Sequence, residues 1–96
     1  MTKTQTITSL GTKIIVIQAG FVYVGEVDIL EQTGTTWLRV SGTRNIRVWG
    51  TTDGLGQLAT KGPTLKTVLD VAGTIYVPMH AVLHLLDTAA AVWKKK

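Results

Sequence analysis

The sequence contains no cysteine, only two prolines and no long uninterrupted apolar run. The lack of cysteine excludes disulfides and thiolate metal sites, as is typical of a protein from a reducing compartment. Residues 13–24 are strongly apolar, but Gln18, Ala19 and Gly20 interrupt them and the stretch is too short to cross a bilayer. No apolar segment after a basic start indicates a signal peptide. We therefore expect a cytoplasmic protein with no membrane partner.

Acidic residues are also few, since ten basic residues stand against six acidic ones for a formal net charge of +4. Four of the basic residues, Lys3, Lys94, Lys95 and Lys96, stand near the two ends of the sequence, and the other six balance the acidic residues. A protein that binds duplex nucleic acid normally carries a basic stripe on a folded face. The sequence shows no such stripe, so we expect no duplex nucleic acid as a partner.

The length of 96 residues suits one domain with a small core. Hydrophobic residues make up 45% of the sequence, a high share for a monomer with so much surface relative to its volume. We therefore expect a homo-oligomer in which a second copy covers apolar surface. We divide the chain into a flexible or edge-pairing arm at residues 1–10, a single small β domain at 11–93 and a basic tail at 94–96.

Short β-branched and alternating segments separated by glycine predict a mainly β fold. We predict strands at residues 13–18, 21–30, 35–41, 44–49, 65–72 and 74–86. The apolar positions change from even-numbered Val22 and Val24 to odd-numbered Val27 and Ile29. We therefore expect a bulge at Gly25. The pattern fits a small five- to six-stranded barrel or a strongly curved antiparallel sheet.

Two short helices are also expected. Leu55, Leu58 and Ala59 fall on one helical face. A Gly-Pro pair then stops the pattern, so we predict a short helical turn near residues 54–61. The alanine-rich stretch before Trp93 predicts a short C-terminal helix.

The arginines and two of the three tryptophans are concentrated in one segment. The sequence has three arginines, Arg39, Arg44 and Arg47, and Trp37 and Trp49 bracket all of them. An aromatic ring beside a guanidinium group suits a nucleotide, because the base stacks on the ring and the phosphate binds the arginine. The segment therefore predicts a site for a small nucleotide-like ligand.

We expect residues 35–41 and 44–49 to pair as a hairpin around a glycine-threonine turn. Two registers keep the apolar residues on the core face. One sets Trp37 opposite Trp49, and the other sets it opposite Arg47. Either register clusters the aromatic and cationic groups. The same residue types are enriched at oligomer interfaces, so a subunit interface is the alternative interpretation.

Further residues extend the candidate site. The small residues after the second tryptophan offer backbone amides near a helix start, as phosphate-binding loops do. They match no phosphate-loop consensus, so a plain turn is the alternative. The ligand-binding residues that we predict are Trp37, Arg39, Asn45, Arg47, Trp49, Thr51, Thr52, Asp53 and Gly54.

Signals for catalysis and for metal binding are weak. His80 and His84 would lie about 13 Å apart on a strand, too far to share one metal ion. Glu26, Asp28 and Glu31 fit the solvated face of a strand. No cysteine nucleophile, serine elbow or Ser-His-carboxylate spacing is recognisable. We expect a protein that is not an enzyme and that has no metal and no cofactor.

Residues 43–62, TRNIRVWGTTDGLGQLATKG, resemble the signature of a small phage- and prophage-encoded family of unknown function. In that family an arginine-rich strand with a tryptophan leads into an LxxLAxxG helical turn, which here begins at Leu55 and ends at Gly62. Asn45 and Arg47 depart from the pattern, since the family tends to carry an arginine and an aromatic residue there. The resemblance implies a small β-rich fold and a cytoplasmic location in an infected bacterial host.

By analogy with small phage proteins that counter host defences, the resemblance implies a nucleotide sponge. Such a protein sequesters an immune signal, a cyclic nucleotide or an ADP-ribose derivative, without cleaving it. Two other functions stay open. The same hairpin fits a structural or host-protein-inhibiting oligomeric module, and the third candidate is a weak binder of single-stranded nucleic acid.

Overall fold

The computed structural model describes residues 5–32 and 34–95. Over these residues the chain forms five strands, one α-helix and three 3-10 segments. The strands are β1 (Gln5–Ile17), β2 (Val22–Gln32), β3 (Thr35–Val48), β4 (Val68–Pro78) and β5 (Val82–Asp87). The α-helix, α1, is Leu55–Lys61, and the 3-10 segments are Gln18–Gly20, Met79–Ala81 and Ala90–Lys95. The predictions of a mainly β fold and of a helix near residues 54–61 are confirmed.

The strands form one antiparallel sheet in the order β4-β3-β2-β1-β5. Because β4 and β5 are its two outer strands, the sheet is open, and it has the curved-sheet architecture and not the closed barrel. Residues 5–10, which we assigned to the arm, belong to β1, and residues 5–9 pair with β2. Residues 1–4 of the predicted arm lie outside the described residues.

β3 runs without a turn through Gly42 and Thr43, so the predicted hairpin between residues 35–41 and 44–49 is wrong. These two residues form a bulge, because together they lie opposite the single Gly25 of β2. A Cβ atom on Gly25 would lie only 2.7 Å from Val40 Cγ1, so the bulge needs glycine there. The register does shift at Gly25, as predicted, but the extra residue belongs to β3.

The sheet buries different faces at its two ends. Ile14 and Ile15, neighbours in β1, are both fully buried and point to opposite faces. One face carries the helix-covered core, formed by Ile14, Val22, Val24, Ile46, Leu58, Ala59 and Trp93. The other carries the second core, formed by Ile15, Val27, Leu38, Val40 and Val77. The change of parity along β2 therefore reflects two cores and not an extra residue in that strand.

The bulge reverses the alternation of side chains along β3. Leu38 and Val40, before the bulge, belong to the second core, whereas Ile46, after it, belongs to the helix-covered core. All three are even-numbered, so an unbroken strand would place them on one face. Trp37 therefore lies on the sheet face that carries the helix-covered core, and Arg47 lies on the opposite face.

The last two strands differ from the predicted segments 65–72 and 74–86. β4 continues through Gly73, whose φ of 72° accommodates an irregularity opposite Thr43 and not a turn. The chain turns later, at the 3-10 segment Met79–Ala81, and β5 follows it.

α1 and the C-terminal 3-10 segment cover one half of a sheet face. Trp93 of that segment is only 3% exposed, and its Nε1 donates to Thr88 Oγ1 at 2.8 Å. The Thr88 hydroxyl donates in turn to the carbonyl of Ala59 in α1 at 2.6 Å. These two bonds fasten the C-terminal segment to the helix. Among the described residues, no helix combines the length and the apolar character needed to cross a membrane.

Candidate ligand-binding face

The nine predicted ligand-binding residues are spread along β3 and the loop that follows it. Trp37 lies near the start of β3, and Trp49 lies just beyond its end. At the usual rise of an extended chain their Cα atoms are on the order of 40 Å apart. Neither predicted register occurs, because Trp37 pairs with Leu30 of β2 and Pro78 of β4.

Arg39 is the predicted cation that lies next to Trp37. Its Nη2 donates to Asp28 Oδ2 at 3.0 Å. This hydrogen bond, reinforced by the Asp28 charge and by Tyr76, raises the pKa of Arg39 above its ordinary value in spite of partial burial. A guanidinium has five N–H donors, so its contacts with Asp28 and Tyr76 hold it in place without using every donor.

Arg47 is engaged by a carboxylate on the opposite face of the sheet. Its Nε donates to Asp70 Oδ2 at 2.8 Å and its Nη2 to Asp70 Oδ1 at 3.4 Å. Asn45 pairs in register with Asp70 and, on its other side, with Tyr23. Because of the bulge, Asn45 and Arg47 lie on the sheet face opposite to Trp37.

The predicted loop of residues 51–54 uses its polar groups internally. The side-chain oxygen of Gln57 accepts hydrogen bonds from the backbone amides of Thr52, at 3.2 Å, and Asp53, at 2.9 Å. The Thr51 hydroxyl donates to the carbonyl of Gly54 at 3.1 Å. Two amides that a phosphate group would need are thus occupied, and the geometry favours a plain turn.

Trp49 is anchored where two chain segments cross. Its carbonyl accepts a hydrogen bond from Thr67 Oγ1 at 2.6 Å, and the next carbonyl, of Gly50, accepts one from Thr64 Oγ1 at 2.6 Å. The segments pack so closely that a Cβ on Gly50 would lie 2.4 Å from the carbonyl carbon of Lys66. The threonine hydroxyls thus fix the backbone that carries Trp49.

The register of the sheet assembles two cross-strand rows around Trp37. The first row consists of Ile7, Leu30, Trp37 and Pro78. The second row consists of Ser9, Asp28, Arg39 and Tyr76. Directly paired residues of antiparallel strands project from the same side, so the eight residues form one surface, which we call the Trp37 face.

The Trp37 face leaves large apolar side chains open to solvent. Ile7 is 52% exposed, Trp37 41% and Tyr76 57%. Because the second core occupies the reverse side of the same strands, this side would be expected to be polar. A contiguous exposed apolar patch in its place is typical of a binding surface.

A cleft of about 480 Å³ lies beside Trp37, where β3 begins and β4 ends. Its walls include Thr35, Thr36, Trp37, Pro78, Met79 and His80. Sites for small molecules generally have volumes of about 300 to 1,000 Å³. The cleft has such a volume and combines an aromatic ring with hydroxyl groups and an imidazole.

A smaller cleft of about 240 Å³ lies next to Arg44, the third arginine. The Arg44 guanidinium carbon is 5.8 Å from the ring centroid of Trp93, and its Nη2 donates to the Trp93 carbonyl at 3.1 Å. Arg44 thus pairs with a tryptophan outside the predicted segment. The cation–π contact ties β3 to the C-terminal segment and explains Arg44 as a structural residue.

Tyr76 and His80 were not among the predicted site residues. Tyr76 joins the Trp37 face because it pairs with Arg39, and that register cannot be read from either strand alone. The sequence offered one signal for Tyr76: it is two residues from Pro78, so the two side chains lie on the same face of β4. His80 borders the cleft, whereas His84 lies in β5, and the described residues contain no group of three or more potential metal ligands.

The chain matches no protein-family model, no curated protein and no solved structure. The resemblance of residues 43–62 to a phage-encoded family therefore stays a prediction.

Proposed function

We propose that this chain is a binding protein that holds a small nucleotide-like ligand in the cleft beside Trp37. The observation that carries the proposal is an exposed indole in the wall of a cleft of about 480 Å³, with the fixed guanidinium of Arg39 outside that wall and two residues along the same face of β3. Of the nine residues predicted for the site, the proposal retains Trp37 and Arg39. Asn45, Arg47, Trp49 and the loop at 51–54 lie elsewhere and have no part in it.

Each part of the ligand has a matching group on the protein. A base stacks on the Trp37 ring, an interaction that contributes about 1 to 3 kcal/mol per base. A phosphate oxygen accepts hydrogen bonds from the N–H groups of Arg39, which Asp28 already holds in a defined orientation. The hydroxyl of Thr35, which lies on the same face of β3 as Trp37, serves the sugar, and His80 adds a further hydrogen-bonding group at the rim of the cleft.

Within this class of function we propose the role of a sponge, which sequesters a nucleotide-derived immune signal for a phage without cleaving it. The resemblance of residues 43–62 supports the phage origin, and the chemistry of the cleft supports a nucleotide-sized ligand. A cyclic nucleotide and an ADP-ribose derivative both contain the base, sugar and phosphate that the cleft would recognise.

The exposed apolar row also favours a second candidate, a module that docks a protein partner or another subunit through the Trp37 face. The two candidates differ in what the Trp37 indole contacts. A ligand-binding protein loses small-molecule affinity when the indole is removed, whereas a docking module loses its partner and has no small-molecule affinity to lose.

The test compares Trp37→Ala with Trp49→Ala, because both tryptophans are 41% exposed and lie near opposite ends of β3. Calorimetric titration would use cyclic AMP, a cyclic dinucleotide and ADP-ribose as probes. We expect at least one probe to bind the unaltered chain, and Trp37→Ala to weaken that binding about 10- to 100-fold, as loss of a stacked base requires. Trp49→Ala should leave it unchanged.

Equal losses in the two variants would contradict the proposed site. No binding of any probe to the unaltered chain, together with no nucleotide recovered by native mass spectrometry from protein made in cells that synthesise such signals, would contradict the proposed function. A steep loss of affinity with rising salt would instead favour the single-stranded nucleic-acid binder.

A further inference from the structure

Asp28 and Arg39 are the two charged residues among the eight that form the Trp37 face, and their charges cancel. We propose that Asp28 is a specificity-determining residue, which restricts the anion bound by Arg39 to one with a single negative charge. The ligand is then a nucleotide whose phosphate is a diester, as in a cyclic nucleotide. This step rests on the proposed function and names the class of its ligand.

The spacing of Trp37 and Arg39 brings one phosphate close to Asp28. The two residues of β3 are two positions apart on one face, a separation of about 7 Å along the strand. Only the sugar lies between the base of a nucleotide and its first phosphate, so a base stacked on the indole leaves that phosphate within reach of Arg39. Because Arg39 Nη2 donates to Asp28 Oδ2 at 3.0 Å, the phosphate and the carboxylate would share one guanidinium.

A second negative charge on the phosphate is not balanced by this ion pair. The side chains of Arg39 and Asp28 are 32% and 21% exposed, so solvent screens their charges less than those of a fully exposed pair. The cost of removing a phosphate from water rises with the square of its charge, whereas its attraction to an ion pair of zero net charge rises only in proportion. The next charged residues along this face, Glu26 and Arg44, again have opposite signs. A doubly charged phosphate is therefore disfavoured.

The cleft beside Trp37 offers no further cation for such a charge. Among the described residues that line it, none is a lysine or an arginine. Tyr76, which contacts Arg39, and Ser9, which pairs in register with Asp28, add hydroxyl groups that can donate to a phosphate oxygen. Hydrogen bonds from neutral donors are weaker than charge-assisted ones, so they suit a singly charged phosphate and do not replace a second cation.

A phosphodiester meets this restriction and a terminal phosphate does not. Each phosphate of a cyclic nucleotide is a diester with one negative charge, whereas a phosphate monoester carries about −1.5 to −2 charges at pH 7. An ADP-ribose derivative carries two adjoining charged phosphates. Of the two ligand types that the proposed function leaves open, the Trp37 face therefore favours the cyclic nucleotide.

AMP and its methyl ester are the matched probes, because they share the base and the sugar and differ by one negative charge at about pH 8. Calorimetric titration of the full chain should show the ester binding about five times more tightly than AMP. Asp28→Asn removes the carboxylate charge and keeps a carbonyl that can accept from Arg39. It should tighten AMP about tenfold and the ester about threefold, since the repulsion removed is proportional to the charge of each probe.

Glu31→Gln is the matched control, because it removes one negative charge from the same strand. Glu31 is exposed and lies three residues from Asp28, on the opposite face of β2. This variant should change the ratio of the two affinities less than about twofold. Far-ultraviolet circular dichroism verifies that each variant is folded, and if Asp28→Asn fails this check the ratio measured on the unaltered chain decides.

An unaltered chain that binds AMP as tightly as the ester would overturn the proposal. If Trp37→Ala still weakens both probes in that case, the proposed function stands without the restriction on charge. Asp28→Asn that weakens both probes equally would show that Asp28 only positions Arg39, which overturns its role in specificity. Binding of neither these two probes nor the signal nucleotides would overturn the proposed function, and the choice of ligand class with it.

Discussion

The two ends of β3 carry the same residue types and differ in what surrounds them. Trp37 and Trp49 are equally exposed, and Arg39 and Arg47 are each paired with an aspartate. At the first end Trp37 belongs to an apolar row and lines a cleft, with Arg39 beside it on the same face. At the second end the backbone is tied to a neighbouring segment by threonine hydroxyls. A binding site is therefore made by cross-strand neighbours, and residue type alone does not identify it.

The largest expected effect comes from removing the bulge that separates the two ends. Gly25→Val places a side chain 2.7 Å from Val40 Cγ1 and 2.8 Å from the Ser41 carbonyl. We expect a loss of about 3 kcal/mol in the free energy of unfolding, since neither the backbone nor a buried neighbour can move aside cheaply. Urea denaturation measures it.

Gly56→Ala is the control for this substitution, because a Cβ at Gly56 meets no atom within 4 Å. The helix propensity of alanine should make that variant neutral or more stable by up to about 1 kcal/mol. If Gly25→Val were as stable as the unaltered chain, the bulge would not depend on the close approach of β2 and β3, and the contrast between the two ends would need another cause.

An intermediate effect is expected from loosening the second end alone. Thr67 is 1% exposed, donates to the Trp49 carbonyl at 2.6 Å and accepts from the Thr64 amide at 2.8 Å. Thr67→Val keeps the shape and removes both bonds, which should cost about 2 kcal/mol because buried polar groups lose their partners. Thr67→Ser should retain most of the stability.

The same variant also tests whether ligand binding depends on the second end of β3. Thr67→Val should leave nucleotide affinity unchanged, since the proposed ligand site lies at the first end of β3. Thermal denaturation and ligand titration on one sample would show whether stability and binding separate in this way. A parallel loss of both would indicate that the ends of β3 are coupled through the strand.

The smallest expected effect is a decrease in stability at acidic pH. Lys13 Nζ donates to Asp87 Oδ1 at 2.7 Å, and this hydrogen bond and charge lower the pKa of Asp87 below its ordinary value of 3.8. A carboxylate with a depressed pKa stabilises the fold above its unfolded pKa, and the contribution is lost as the pH falls through the folded pKa. Melting temperatures should therefore decrease below about pH 4.

Asp87→Asn should remove part of that decrease, and only a small part, because the Asp87 side chain is 94% exposed. The Lys13 pair joins β1 to β5 and involves neither end of β3. The difference between Trp37→Ala and Trp49→Ala in ligand binding should thus be the same at pH 5 as at neutral pH, with Arg39 charged throughout. A difference that disappears at pH 5 would show that binding depends on a group other than Trp37 and Arg39.

Local patterns predicted the elements better than their connections. Alternating β-branched residues predicted six strand segments where the structure has five strands, and the spacing of Leu55 and Leu58 identified α1. The pair Gly42-Thr43 has the composition of a turn, and only pairing with Gly25 of another strand makes it a bulge. The strand break predicted at Gly73 is wrong for the same reason, because the positive φ of Gly73 belongs to an irregularity within β4 and not to a turn.

The site was predictable only in the part that depends on one strand. Trp37 and Arg39 are two residues apart on β3, so alternation alone places them side by side on the face opposite Leu38. Tyr76 reaches them through the register of β4, and Arg47 is removed from them by the bulge. Both of these depend on contacts between residues far apart in sequence, which periodicity does not record.

The bulge also has a consequence for how this chain can change by mutation. Even-numbered positions of β3 are buried on one face of the sheet before the bulge and on the opposite face after it. Deletion of one residue at 42 or 43 would restore regular alternation along β3. Along half of the strand, the buried side chains would then point to solvent and the exposed ones to the core. Substitutions can therefore accumulate on the Trp37 face one at a time, whereas a one-residue deletion at the bulge would disrupt the packing of both cores at once.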